Sequence, residues 1–184
     1  MRKYLFNLTA AIALGATGSF AADTGEMSKI TGGFYDAYAT FHPSDGIPDA
    51  KARAKYEPFI SPALDELLKQ GDEAEDKFAK ANKDSPPLIE GDLFTSNFEG
   101  ATAYKLGVCS GDAKAGRCAV TLTYDPGNTG NPKDKPFTWT DTDYLVAMPE
   151  GWRVDDIGYG GTSDFGNKGK LSETLRSAII DVGP

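Results

Sequence analysis

Histidine is nearly missing from this chain: His42 is the single one in 184 residues, and cysteine stops at two, Cys109 and Cys118. So few soft ligands, set far apart, do not make a zinc site, and neither a metal nor a cofactor is expected. Basic residues are also scarce, 19 Lys and Arg against 27 Asp and Glu. A protein that binds a phosphate backbone needs clustered cations to release counterions, so no nucleic-acid partner is expected. Catalytic signatures are absent too. The chain has no Gly-x-Ser-x-Gly elbow, no P-loop and no dinucleotide fingerprint, and no Ser or Cys elbow accompanies His42. Gly158, Gly160 and Gly161 lack the strand-to-helix setting of a phosphate cradle and read as a flexible strand end.

What is present starts with an address. Arg2 and Lys3 precede an apolar run, Ala10 to Ala16, and a small-x-small site, Ser19-Phe20-Ala21. That layout is a secretory signal peptide over residues 1–22, and its apolar run is too short to span a membrane. No cysteine flanks the cleavage site, so a lipid anchor is not expected. The mature chain is expected to begin near Ala22 or Asp23, to work in the periplasm or beyond it, and to carry no transmembrane segment. Removing two basic and no acidic residues leaves 17 against 27, a net charge of −10. Residues 23–184 fit one domain with one core. Such acidity suits a cationic partner, and equally keeps an exported protein dissolved. Export makes a Cys109–Cys118 disulfide the default, closing a short loop with Gly111 and Gly116 in it.

The chain changes period half-way. Ile30, Phe34, Ala37, Tyr38 and Phe41 form one helical stripe, ended by His42-Pro43. Asp49 caps a short helix to Tyr56, and Ser61-Pro62 starts a long one whose stripe runs Leu64, Leu67, Leu68, Phe78. Gly71 interrupts that stripe, and the acids and lysines from Asp72 to Lys80 lie on its wet side. Beyond Pro86-Pro87, Thr102 to Val108 and Cys118 to Tyr124 alternate as two antiparallel strands. Their apolar faces pair Tyr104 with Leu122, Leu106 with Val120 and Val108 with Cys118. Cys109 then falls one residue out of register, which a bulge, or a disulfide beyond the last ladder pair, resolves. Asp125 to Pro136 is an exposed loop, and Leu171, Leu175 and Ile179 space a short closing helix. The expected fold class is α+β, with N-terminal helices packed on a curved antiparallel sheet and a short C-terminal helix.

A second hairpin joins Phe137 to Met148 and Trp152 to Tyr159 through Pro149-Glu150-Gly151. Read as a three-residue loop with Gly151 left-handed, it sets Met148 opposite Trp152, Val146 opposite Val154, and Tyr144 opposite Asp156. A two-residue loop sets Asp143 against Asp156, like charge against like. The first register makes an apolar face of Tyr144, Val146, Trp152 and Val154 that ends in a Tyr–Asp pair. There Asp156 can act as general base and Tyr144 as hydrogen-bond donor; the plainer reading is that Asp156 merely satisfies Tyr144 or a backbone amide.

Trp139, Asp141 and Asp143 are the binding candidates, although Trp139 and Trp152 are most simply core or rim anchors. The Glu90/Asp92 and Asp141/Asp143 pairs match no calcium loop, and alternation puts each pair on one face where solvent is the cheaper partner.

Three strings stand out: Pro86-Pro-Leu-Ile-Glu-Gly-Asp-Leu-Phe-Thr-Ser-Asn-Phe-Glu-Gly100, Thr138-Trp-Thr-Asp141 and Gly151-Trp-Arg-Val-Asp-Asp-Ile-Gly-Tyr-Gly-Gly161. With Phe34-Tyr35, they resemble the exported bacterial family called domain of unknown function 3828, from about Phe34 to Leu175. The resemblance implies an envelope location and brings no catalytic residues. The element order also resembles the ketosteroid-isomerase-like, or nuclear-transport-factor-like, cone fold, which hosts enzymes and interaction modules alike. The leading expectation is a non-enzymatic envelope binding or interaction module, such as an acidic neutraliser of a cationic partner. The alternative is a small acid–base enzyme of the cone fold using Asp156 and Tyr144. A deep, partly apolar pocket reaching Asp156 favours the enzyme; a filled interior favours the binding module.

Overall fold

A computed structural model describes residues 22–40, 46–131, 133–162 and 164–183. Residues 1–21, within the expected signal peptide, and Phe41, His42 and Pro43 lie outside the described residues. The architecture is α+β: α1 (Thr24–Tyr38), α2 (Ala50–Arg53) and α3 (Pro62–Ala81) precede β1 (Ala103–Gly111), β2 (Ala115–Tyr124), β3 (Phe137–Met148) and β4 (Gly151–Gly158), and α4 (Leu171–Val182) closes the chain. The strands form one open antiparallel sheet in the order β1-β2-β3-β4. Among the described residues no helix is long and apolar enough to cross a membrane.

Helix starts follow local chemistry. Asp49 accepts from the Ala52 amide and Ser61 from the Leu64 amide, each satisfying an amide that has no partner within its helix. α1 starts earlier than its stripe suggests, because Asp23 caps it by accepting from the Glu26 amide. It ends at Tyr38, where Ala39 and Thr40 fold back onto the Tyr35 and Ala37 carbonyls. Its buried face is Met27, Thr31, Phe34, Tyr35 and Tyr38, rotated from the expected stripe toward Tyr35. Gly71 does not interrupt α3. It is buried where α3 meets α4, and a Cβ there lies 3.0 Å from Leu175 and 3.3 Å from Ile47.

β1 and β2 pair in the expected register at Tyr104↔Leu122 and Leu106↔Val120, and the bulge falls between Leu106 and Cys109. The bulge brings Cys109 opposite Cys118, and the two are disulfide-bonded. Val108, expected to pair with Cys118, is 80 % exposed instead.

The β3–β4 hairpin corrects the three-residue loop. Gly151 pairs with Met148, so Pro149-Glu150 alone makes the turn, and Ala147 rather than Met148 faces Trp152. A bulge between Tyr144 and Leu145 then skips Asp155, which restores Tyr144↔Asp156 and gives Asp143 the apolar partner Ile157. The short turn and the avoidance of paired like charges are thereby reconciled. The inward face is Leu145, Trp152, Val154 and Ile157, not Tyr144 and Val146.

β4 is an edge strand, and the segment before α3 covers it. The Val154 amide donates to the Phe59 carbonyl and the Ser61 amide to the Val154 carbonyl, at 2.9 and 2.8 Å. Between helices and sheet, Phe34, Tyr35, Tyr56 and Phe94 pack ring on ring at centroid distances of 4.8 to 5.4 Å. Val120, Leu122, Leu145, Val154 and Ile157 meet them from the sheet.

Candidate functional site

Period-two alternation along β3 turns Asp141, Asp143 and Leu145 to the same side, and that side is the core. This corrects the expectation that the acid pair faces solvent: both carboxylates are fully buried. Burying a charge is costly unless it is well hydrogen-bonded, and the two residues meet this cost in opposite ways.

Asp141 is saturated. Its Oδ2 accepts from the Ser96 amide at 2.8 Å and the Trp139 indole at 3.1 Å; its Oδ1 accepts from the Gly160 amide at 2.8 Å and from the Ser96 hydroxyl. Four donors are about the full capacity of a carboxylate.

Asp143 is not saturated. Oδ1 accepts from the Tyr35 hydroxyl at 3.1 Å, while Oδ2 is buried with no partner among the described residues. Burial, reinforced by the nearby Asp141 charge and opposed by the Tyr35 bond, pushes the Asp143 carboxyl up to about 8. The same burial, with Asp143 beside it, holds the Tyr35 hydroxyl well above the usual phenol range.

A third buried acid comes from the loop after α3. Asp92 accepts from Tyr38 at 2.7 Å and from the Thr95 amide at 2.6 Å, and burial pushes it up to about 7 against those bonds. Glu90 is exposed, so the Glu90/Asp92 pair is split between water and core. No group of three acidic, His or Cys residues stands ready for a metal ion among the described residues.

Tyr144 and Asp156 do face each other across the β3–β4 ladder. Asp156, however, is engaged at the start of α4, accepting from the Ser172 amide at 3.0 Å and its hydroxyl at 2.8 Å, and from the Ile157 amide. Lys170 stands 3.8 Å from Asp156 and 4.1 Å from the centre of the Tyr144 ring, so it bridges the pair. The geometry is that of an anchor for the closing helix, where a carboxylate meets a helix N-terminus.

Of the buried acids, Asp141 lies directly behind a surface cleft, bonded to its lining residues Ser96 and Trp139. The cleft, of about 220 Å³, is lined by Ser96, Asn97, Phe137, Thr138, Trp139, Gly161 and Thr162. Trp139 is half-buried beside Phe137, and Tyr124 continues the row at ring-centroid distances of 5.6 and 5.7 Å. Asp141 holds this cleft from beneath. It grips Ser96 on one wall, Trp139, and Gly160 at the end of β4, three segments distant in sequence. Gly160 and Gly161 are therefore a tight seam rather than a flexible strand end. A Cβ on Gly160 falls 2.1 Å from the Thr140 carbonyl, and one on Gly161 falls 2.6 Å from the Ser96 Cβ. The Gly161 amide donates to Ser96 Oγ at 2.9 Å, which closes the ring of contacts. Ser96, Tyr35 and Tyr38 are the members the sequence did not announce.

With its carboxylate spent on positioning, the cleft offers an aromatic wall and hydroxyls, a binding chemistry rather than an acid–base one. No family model matches the chain, and no curated protein matches it.

Proposed function

We propose that the chain is an exported, non-enzymatic binding module of the cell envelope that seats its partner at the Trp139 cleft. One observation carries the reading: Asp141 accepts four hydrogen bonds from three chain segments and holds both walls of the cleft in place. A buried carboxylate is costly, and spending it on the walls of an open cleft makes sense where those walls must keep their shape for a ligand. The Cys109–Cys118 bond suits an oxidising compartment outside the cytoplasm. The acid–base alternative needs a pocket reaching Asp156, whereas core side chains fill the space between helices and sheet, and Asp156 anchors α4. Three of the acids counted in the net charge, Asp92, Asp141 and Asp143, lie in the core, so a cationic partner would meet a less acidic surface than composition suggests.

The test passes envelope extract over the immobilised, disulfide-intact mature chain at low and high salt. Material retained at high salt by wild type and lost with Trp139→Ala is the expected result. Retention that ignores Trp139 and vanishes with salt replaces the cleft by the acidic exterior as the binding surface.

A further inference from the structure

We infer that the Trp139 cleft takes a single uncharged sugar ring of a longer glycan, stacked on the Phe137–Trp139 wall with its hydroxyls on the polar rim. The inference rests on the binding-module reading and adds the chemical class of ligand.

The lining chemistry selects that class. Among the described residues, none that lines the cleft is charged, although the chain carries a formal net charge of −8. Lys168, a cation that reaches this wall, donates to the Gly161 carbonyl at 3.3 Å. A phosphate or carboxylate ligand would find no cation offered by the lining, and a cationic ligand no carboxylate, since Asp141 is buried with four donors of its own. The ligand that fits is neutral.

It must also be two-faced. Phe137, 45 % exposed, and the half-buried Trp139 present an aromatic surface that gains by losing water, while the polar residues Thr138 and Thr162 are also part of the lining. A pyranose ring has the complementary division, with C–H groups across its faces and hydroxyls around its rim. Size points the same way. A space of about 220 Å³ is below the range of roughly 300–1,000 Å³ typical of sites that enclose a drug-sized ligand, so it holds one ring and leaves the rest of the glycan outside. Tyr124, next in the aromatic row, lies where a following ring can touch it.

Rigidity completes the case. Stacking has value only if the indole plane is fixed beforehand, and the Trp139 N–H bond to Asp141 fixes it. That bond also turns the indole nitrogen inward, so recognition falls to the ring face.

The experiment titrates the disulfide-intact mature chain with neutral trisaccharides, one each of glucose and of N-acetylglucosamine units, following tryptophan emission and heat of binding. Trp152 is 5 % exposed and serves as an internal reference, so a saturable change reports on Trp139. The expected result is saturation with a Kd at or below about 1 mM, weakened about tenfold or more in Trp139→Ala and largely retained in Trp139→Phe. A polyproline peptide is the control, because extended proline-rich segments also dock on aromatic grooves. Saturable polyproline binding without sugar binding overturns the inference. So does silence toward both sugars while Trp139-dependent capture of envelope material persists; in either case the module reading stands. If that capture is also missing, the module reading falls with it.

Discussion

The Tyr35 hydroxyl donates to Asp143 across 3.1 Å, and this is the bond the structure supplies to a carboxylate buried completely between α1 and the sheet. One donor is too few to keep the charge. The carboxyl therefore holds its proton up to about pH 8, and Asp92 does the same up to about pH 7.

Stability is accordingly expected to fall as pH rises. Below about pH 4 these carboxyls are protonated in both folded and unfolded chains and contribute no difference. Above that, the unfolded chain releases its protons while the folded one retains them, and each such group lowers stability by about 1.4 kcal/mol per pH unit until its own folded value is passed. The decline should run from about pH 4 to pH 8 and then level off. Urea unfolding at pH 5, 6.5 and 8 measures it. A flat or rising profile for wild type would show that both acids are ionised in the core.

Reducing the disulfide should lower stability by about 2–3 kcal/mol, the loop-entropy value for a ring this short. Cys109 and Cys118 are partners in the β1–β2 ladder, so the hairpin end at Gly111 and Gly116 should lose amide protection first. Intact mass without reductant should be two hydrogens light. A thiol that a maleimide can label in the folded, unreduced chain would refute the pairing.

The β3–β4 turn yields two further variants. Trp152→Ala removes a side chain only 5 % exposed and should cost about 3–5 kcal/mol. Gly151 has φ +108°, and a Cβ there meets Glu26 Oε1 at 2.2 Å, the oxygen that accepts from the Trp152 amide. Gly151→Val should therefore cost at least about 1 kcal/mol. Chemical denaturation checks both, and a Trp152→Ala chain as stable as wild type would mean that the hairpin pairs otherwise.

How much of this was legible depended on whether the signal was local. Asp49 and Ser61-Pro62 act within one helical turn, and both helix starts could be read directly. The β1–β2 register at Tyr104 and Leu106 was legible from two alternating apolar faces, whereas the misfit at Cys109 left a bulge and a disulfide beyond the ladder both open, and the structure has the bulge. β3 was harder. In Thr138-Trp-Thr-Asp-Thr-Asp143 hydropathy points the acids outward, and what turns them inward is the β4 register, set by a two-residue turn and a bulge together. Two of the four donors that make Asp141 tolerable in the core come from Ser96, 45 residues earlier, and a third from Gly160, 19 residues later. Tyr35 lies 108 residues from Asp143. No periodicity encodes such distances, so the cleft became visible only once the loop after α3 was seen against the sheet.

Asp141 and Asp143, two residues apart on one strand and equally buried, should respond in opposite directions to the same substitution. Asp143→Asn removes a charge the core does not satisfy, and the amide oxygen can still accept from Tyr35. It should raise stability at pH 8 and flatten the pH profile, with little change at pH 4. Asp141→Asn replaces an acceptor of four hydrogen bonds by a group with one oxygen and an NH2 that points at donors. Two of the Ser96, Trp139 and Gly160 contacts then have donor facing donor, at about 1–3 kcal/mol each. Asp141→Asn should thus destabilise and loosen both walls of the cleft, so tryptophan emission shifts red as the indole loses its anchor. Thermal melts of the two variants beside wild type at pH 8 decide the point: if both asparagines stabilise, or both destabilise, the division of labour between these carboxylates is wrong.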